Sequence, residues 1–171
     1  MNIMTTYLGL GSNLGDKRNN IIHALSLLQE KTDIRSISSL YETEPWGFKK
    51  QPIFLNAACE ARTDLDALDL LDYLKSIETR LGRTESFAYG PRVLDIDILF
   101  YGNTVFNTSK LTIPHPSVSE RKFVLVPLAE IAPNLLHPIS NKTISELLSE
   151  IVTEERVEYL DPYPYMLKSP Q

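Results

Sequence analysis

Cysteine is almost absent from this chain of 171 residues, which contains a single one, Cys59. One cysteine excludes an intrachain disulfide and any zinc site built from several cysteines. Cys59 lies in the apolar run Ala57-Ala58-Cys59, so we expect a buried small side chain rather than a reactive thiol. This usage fits a reducing compartment.

The chain also lacks an excess of positive charge, a long apolar run and a secretory leader. Its formal net charge is −5 and its pI is about 5.2, which argues against nucleic acid bound by a broad basic face. No stretch approaches the roughly 18 apolar residues of a membrane span, and the start does not resemble a signal peptide. We therefore expect a cytoplasmic protein with no nucleic-acid partner and no membrane association. The length predicts one domain over residues 1–171, and we expect a monomer.

A P-loop is missing as well, because the pattern G-x-x-x-x-G-K-[ST] occurs nowhere in the sequence. A glycine-rich stretch, residues 11–16, follows a predicted strand at residues 5–10 and precedes apolar residues at helical spacing. Asp16 is the expected N-cap of that helix. The motif alone favours a plain turn over an anion-binding turn at the helix N-terminus.

The most informative stretch present is residues 90–102, which reads Gly-Pro-Arg-Val-Leu-Asp-Ile-Asp-Ile-Leu-Phe-Tyr-Gly. Its β-branched and aromatic residues predict a strand that begins at Val93. Because strand side chains alternate between faces, the predicted core face consists of Leu94, Ile96, Ile98 and Phe100. The other face consists of Val93, Asp95, Asp97, Leu99 and Tyr101. The two carboxylates should therefore point the same way, about 7 Å apart.

Two like charges on such an apolar strand repel each other, so we expect a cation between them. Mg²⁺ fits best, because it takes one or two carboxylates and completes its shell with water and substrate phosphates. The alternative is an exposed face with merely solvated carboxylates, and the D-x-D pattern alone does not separate the two. Arg92 and the stiff Gly90-Pro91 turn favour the magnesium site over the solvated face. A phosphate that bridged a metal and a guanidinium would find both partners here.

The remaining segments predict the element order β-α-β-β-α-β with additions after the central strand. Further strands are expected at residues 34–41 and 53–61, a helix between residues 63–66 and Gly82, and short helices at residues 124–131 and 144–151. The tail from Tyr159 is expected to be irregular. This order predicts an α+β fold, a ferredoxin-like antiparallel sheet with helices on both sides in three α-β-α layers.

Several polar and aromatic residues outside the central strand have two open interpretations each. The long loop at residues 42–52 presents Trp46 and Phe48, which would either close over a ligand or anchor the loop to the core. Asn56 is a poor strand former that would either satisfy a bulge or read the edge of a heterocycle. His115 stands between two prolines, where it would bind a phosphate or a backbone carbonyl.

Six motifs stand in order between about residues 5 and 133. They are GLGSNLGD (9–16), YETEPWG (41–47), FLNA (54–57), LGR (81–83), GPRVLDIDIL (90–99) and IPHP leading to RKF (113–123). As an ordered set they closely resemble 6-hydroxymethyl-7,8-dihydropterin pyrophosphokinase, a family of the folate pathway. The resemblance implies a reaction in which the pterin hydroxymethyl oxygen attacks the β-phosphorus of ATP and AMP leaves.

The resemblance also implies roles for individual residues. The catalytic set would be Arg83, Arg92, Asp95 and Asp97, of which Asp95 and Asp97 would hold two Mg²⁺ ions. The ATP-binding set would be Glu78, Arg92, Thr112, His115 and Arg121. The pterin-binding set would be Thr43, Pro45, Trp46, Phe54, Asn56 and Phe123, with the ring stacked between the two phenylalanines. Loops 44–51 and 84–89 would be mobile lids.

The sequence departs from the family pattern at three places and leaves two other functions open. Thr84-Glu85 stands where some members have a second loop arginine, Tyr89 stands where Trp can occur, and Lys122 replaces a small residue. One alternative is a non-catalytic ferredoxin-like module that binds a small ligand. The other is a different Mg²⁺-dependent kinase, which would keep the acidic pair but not the pterin pocket.

Overall fold

A computed structural model of the chain describes residues 2–162. The elements are β1 (Met4–Ser12), α1 (Lys17–Leu28), β2 (Asp33–Ile37), β3 (Leu40–Thr43), β4 (Phe54–Thr63), α2 (Ala67–Arg80), β5 (Asp95–Tyr101), β6 (Phe106–Asn107), β7 (Thr112–Ile113), a 3-10 turn (Val118–Glu120), α3 (Lys122–Ile131), α4 (Ile144–Glu150) and β8 (Val157–Asp161). Asp16 accepts a hydrogen bond from the Asn19 amide, so the predicted N-cap of α1 is confirmed. None of the helices within residues 2–162 is both long and apolar enough to cross a membrane.

The main sheet is antiparallel, with strand order β5-β1-β4-β3-β8 and with β2 also paired to β4. One apolar cluster packs α1 and α2 against one face, through residues such as Leu8, Leu25 and Leu74. A second cluster packs α3 and α4 against the other face, through residues such as Leu99 and Leu125. The predicted α+β, ferredoxin-like, three-layer fold is therefore confirmed.

The single strand predicted at residues 34–41 is wrong, because Ser38 and Ser39 divide it into β2 and β3. The Ser38 hydroxyl accepts a hydrogen bond from the Ala58 amide at 2.8 Å. The Ser39 amide and hydroxyl both donate to the Glu130 carboxylate of α3. At the break the Ser38 amide still donates to the Ala58 carbonyl at 2.8 Å, and these side-chain partners supplement it in place of a continuous ladder.

The strict alternation predicted for the central strand fails at its end. Leu8 of β1 pairs with Ile98, but the preceding residue Tyr7 pairs with Phe100, so β5 carries one extra residue at Leu99. Such a β-bulge shifts the side chains that follow it to the other face. Phe100 consequently packs with the α3–α4 cluster and Tyr101 with the α1–α2 cluster, the reverse of the prediction. Asp95 and Asp97 precede the bulge and keep their common face.

The tail also departs from the prediction. Residues 157–161 form β8, which adds an antiparallel strand beside β3. An ion pair between Arg18 of α1 and Asp161 holds its end. The predicted irregular tail is thus wrong as far as Asp161, and its remainder from residue 163 lies outside the described residues.

Candidate active site

A cavity of about 530 Å³ opens over one face of the sheet. Its lining brings together most of the predicted site residues, namely Thr43, Trp46, Phe54, Asn56, Arg83, Arg92, Asp95, Asp97, His115, Arg121 and Phe123. The other predicted residues, Pro45, Glu78 and Thr112, are not part of the lining. The predicted roles of these residues remain predictions.

The floor of the cavity is formed where two glycines of β1 face the acidic pair of β5. Gly11 pairs with Asp95, and Gly9 pairs with Asp97. On its other side Gly11 pairs with Asn56 of β4. A methyl group added to Gly11 would lie 2.6 Å from the Asn56 side-chain oxygen, so only glycine leaves room for that amide.

Asp95 is bound by two arginines, one through each carboxylate oxygen. Arg83 donates to Oδ1 at 3.0 Å and Arg92 donates to Oδ2 at 2.9 Å. Arg83 also pairs with Glu78. Burial opposes the charge on Arg83, but Asp95 and Glu78 outweigh it and raise the pKa of the guanidinium. Both arginines are therefore held at the acidic end of the cavity by ion pairs with Asp95.

Asp97 has a very different environment from that of its neighbour. Burial and the charge of Asp95 raise its pKa to about 7, although Arg121 and Arg92 act in the opposite direction. Its side chain is still 37% exposed, because it faces the cavity. A positive ion beside this pair would relieve both the repulsion and the burial cost.

His115 lies next to Asp97, with 4.0 Å between its Nε2 and the Asp97 Oδ2. Burial and the charge of Arg121 lower the pKa of His115 to about 4, so the ring is neutral near pH 7. Its Nδ1 accepts a hydrogen bond from the Ser117 amide at 3.2 Å. The proton of the neutral ring therefore sits on Nε2, which is the nitrogen that can donate toward an anion in the cavity.

Glu78 lies behind the cavity rather than in its wall. It is only 6% exposed, and it accepts a hydrogen bond from the Ile96 amide at 2.8 Å. Burial raises its pKa, although the Ile96 hydrogen bond and Arg83 act against this effect. In this structure Glu78 anchors Arg83 and the start of β5. Thr112, the other predicted ATP-binding residue outside the lining, donates from its hydroxyl to the Asn107 side-chain oxygen at 3.2 Å, within the β6–β7 hairpin.

The opposite end of the cavity combines aromatic rings with a fixed amide. Phe54 of β4 and Phe123 of α3 both line it. Asn56 is buried, and its Nδ2 donates to the Thr43 hydroxyl at 2.6 Å. The orientation of the Asn56 amide is therefore set by Thr43 and by the space over Gly11.

The two loops predicted as lids contact each other through aromatic pairs. Trp46 meets Tyr89 edge to face with centroids 5.2 Å apart, and Phe48 meets Phe87 in the same way at 5.1 Å. Gln51 donates to the carbonyl oxygens of Phe48 and Tyr89. These contacts place both loops over the cavity; their mobility remains a prediction.

Sequence reasoning missed the part played by Asn13. It is buried; its Nδ2 donates to Gln51 Oε1 at 2.9 Å and its Oδ1 accepts from the Arg92 amide at 2.9 Å. It thereby joins the turn after β1 to the segments on both sides of the cavity. Its partners are 38 and 79 residues away, so no local pattern could have revealed this role.

Comparison with known proteins identifies one family that the chain matches. The family model described as 7,8-dihydro-6-hydroxymethylpterin-pyrophosphokinase (HPPK) matches residues 7–133. The 2-amino-4-hydroxy-6-hydroxymethyldihydropteridine pyrophosphokinase of Aquifex aeolicus is 45% identical to this chain over 146 residues. The match covers 85% of this chain and 91% of the relative. The counterpart from Methylorubrum extorquens is 46% identical over 89% of this chain and 98% of the relative.

Longer proteins match over part of their length only. The folic acid synthesis protein FOL1 of Dictyostelium discoideum is 42% identical over 92% of this chain, which spans only 24% of that protein. A crystal structure of Plasmodium falciparum HPPK-DHPS superposes with a TM-score of 0.70 at 18% identity, covering 87% of this chain and 45% of the other. That structural likeness supports the fold alone.

These matches indicate a transferase of the kinase type, and the structure places it on a ferredoxin-like sheet. The chain belongs to the 7,8-dihydro-6-hydroxymethylpterin-pyrophosphokinase family, so the family predicted from the six motifs is confirmed. Membership supports a pyrophosphokinase of folate biosynthesis and does not favour a non-catalytic binding module.

Proposed function

We propose that the chain transfers pyrophosphate from ATP to the hydroxymethyl oxygen of 6-hydroxymethyl-7,8-dihydropterin and releases AMP. The observation that carries this proposal is the composition of one cavity. Its acidic end holds Asp95 and Asp97 with arginines around them, and its other end offers two phenylalanines and an oriented amide. A polyphosphate and a flat heterocycle would therefore meet in the same space.

The acidic pair fits Mg²⁺ by the chemistry of its donors. Within residues 2–162 no group of three or more His, Cys, Asp or Glu residues is placed to share one ion. Mg²⁺ does not need such a cage, because one or two carboxylates suffice when phosphates and water complete its shell. We propose that Asp95 and Asp97 hold two Mg²⁺ ions, which would neutralise phosphate charge and help to orient the reacting groups.

The cationic residues of the chain bind and orient the polyphosphate. Arg83 and Arg92 present guanidiniums that suit two-point contact with phosphate oxygens. Arg121 and the neutral Nε2–H of His115 approach the same region from the segment before α3. Positioning and charge stabilisation of this kind account for most of the catalysis in phosphoryl transfer.

The apolar end binds the pterin. Phe54 and Phe123 would stack on its two faces, and Asn56 would read its donor and acceptor edge while Thr43 holds the amide in place. Loops 44–51 and 84–89 would exclude water when they close over the substrates. We further propose that the chain forms a single domain, that it is a monomer and that it acts in the cytoplasm.

The test is AMP release from ATP with Mg²⁺, with and without 6-hydroxymethyl-7,8-dihydropterin. We expect pterin-dependent AMP, and we expect Asp97→Ala to reduce it by several orders of magnitude while the protein stays folded. Pterin-dependent ADP would mean ordinary phosphoryl transfer and would refute the mechanism. Turnover without pterin dependence would refute the substrate assignment.

A further inference from the structure

The first turn of α3 places two residues on the cavity wall but lacks a cap from its own sequence. Arg121 occupies the N-cap position and Phe123 follows within the first turn. The first amides of a helix have no partner within the helix. A guanidinium has no acceptor atom, so Arg121 cannot satisfy them.

Glu155, from the segment between α4 and β8, supplies the missing cap. Its Oε2 accepts a hydrogen bond from the Lys122 amide at 3.1 Å, and its Oε1 accepts one from the Phe123 amide at 3.3 Å. The Lys122 ammonium donates to the Glu155 carbonyl at 3.3 Å and fixes the backbone as well. A negative charge at a helix N-terminus is also favoured by the helix dipole.

The same short segment also contacts another part of the cavity wall, Thr43 and Glu44. The amide of Glu44 donates to the carbonyl of Arg156 at 3.3 Å. Val157, the next residue, pairs with Thr43 in the β3–β8 ladder. Residues 155–157 therefore contact both the strand that ends at Thr43 and the helix that begins at Lys122.

Arg121 depends on this framework for its position. Its guanidinium lies 4.5 Å from the centroid of the Trp46 ring and 5.8 Å from that of Phe123. Its Nε is buried and, among the residues that the structure describes, has no hydrogen-bond acceptor. A displacement of the first turn of α3 would therefore move Arg121 and Phe123 together, relative to Trp46.

We propose that Glu155 is a positioning residue for the pterin pocket, acting through the first turn of α3 to set the places of Phe123 and Arg121. The proposal rests on the pyrophosphokinase function given above. Glu155 itself touches no reacting group; it fixes the wall against which the substrate ring packs.

The experiment compares Glu155→Ala and Glu155→Gln with a matched control, Glu146→Ala. Glu146 also caps a helix, since it accepts the Thr143 amide at 2.8 Å at the start of α4, but it does not line the cavity. Steady-state AMP release gives kcat and the KM for the pterin. Emission of Trp46, the single tryptophan, reports its contact with Arg121 without any substrate.

We expect Glu155→Ala to raise the pterin KM about fivefold, the size of effect associated with a lost helix cap. The pterin KM should change more than kcat, because a weaker Phe123 contact lowers ground-state and transition-state binding equally. Glu155→Ala should also change the Trp46 emission. Glu155→Gln keeps one acceptor oxygen and should give an intermediate KM; it carries the same test if the alanine variant does not fold. Glu146→Ala should match the wild type in KM and emission.

Wild-type KM and emission in both Glu155 variants, or equal effects in Glu146→Ala, would overturn the positioning role while the proposed function stands. A wild-type protein that makes no pterin-dependent AMP would overturn the proposed function, and this inference with it.

Discussion

Adding one methyl group at Gly11 tests the geometry of the pterin end directly. In Gly11→Ala the new carbon would lie 2.6 Å from the Asn56 Oδ1 and 3.7 Å from the Phe54 ring. The amide oxygen must therefore retreat by about 0.8 Å to restore ordinary contact. Asn56 is buried and already donates to Thr43 at 2.6 Å, so it cannot move without straining or losing that bond.

The size of the effect follows from two opposing contributions. Overpacking a well-filled site costs about 1–3 kcal/mol, whereas replacing a strand glycine by alanine gains roughly 0.5–1 kcal/mol. We expect Gly11→Ala to lower the free energy of unfolding by about 1–2 kcal/mol as the net of the two. Because the displaced amide is the group that would read the pterin edge, the pterin KM should rise about tenfold or more.

Gly9→Ala is the control, because it adds the same methyl group two residues earlier on the same strand. There the nearest atom would be a Leu99 methyl carbon at 3.5 Å, an ordinary contact. Denaturant unfolding should show this variant as stable as the wild type or slightly more so. The reasoning is refuted if Gly11→Ala proves as stable as Gly9→Ala and keeps the wild-type pterin KM in the AMP assay.

Three further predictions concern the cations, the aromatic pair and the buried thiol. Arg83→Ala should lower kcat by about 10² with a smaller change in ATP binding, because a phosphate-binding arginine acts mainly in the transition state. Single-turnover rates and an ATP titration would measure the two effects. An unchanged kcat with weaker ATP binding would contradict this prediction. Phe123→Leu should raise the pterin KM about fivefold, which corresponds to the free energy of one lost aromatic contact, with little change in the ATP KM. An equal rise in both KM values would contradict this prediction. Burial raises the pKa of Cys59 from 9.0 to about 12, so this thiol should resist alkylation in the folded protein at pH 9. Rapid labelling of the native protein would contradict this burial argument. The contribution of the protonated thiol to stability is fully present below pH 9 and should be lost as the pH rises toward about 12. Unfolding curves of the wild type and of Cys59→Ala at several pH values would measure this loss.

Local patterns were sufficient to predict the elements whose signals lie within a few residues. Asp16 as the N-cap of α1 is an example, since its side chain accepts a hydrogen bond from the amide of Asn19, three residues away. The common face of Asp95 and Asp97 followed from the two-residue period of a strand. The bulge at Leu99 did not, because it arises from pairing with β1, which lies about 90 residues earlier in the chain.

The site divides along the same line. The fold gathers most of the residues that the motifs selected into one cavity, but the motifs did not reveal what holds those residues in place. Glu78 belongs to the predicted ATP-binding set, but in the structure it pairs with Arg83 and accepts a hydrogen bond from the Ile96 amide. Asn13, Gly11 and Glu155 matter through partners far away in sequence, and each is an ordinary residue within its own segment.

The charges of the cavity link the binding of a polyphosphate to the binding of a cation. In this structure both oxygens of Asp95 are engaged, one by Arg83 and the other by Arg92. A polyphosphate would draw these guanidiniums away, and two carboxylates would then face further negative charge beside a neutral His115. Like charges at such distances repel strongly when partly buried. We therefore expect the arginines to change partners only if another cation takes their place at Asp95 and Asp97, so the proposed site should bind a polyphosphate and a divalent cation together and should bind either one alone poorly.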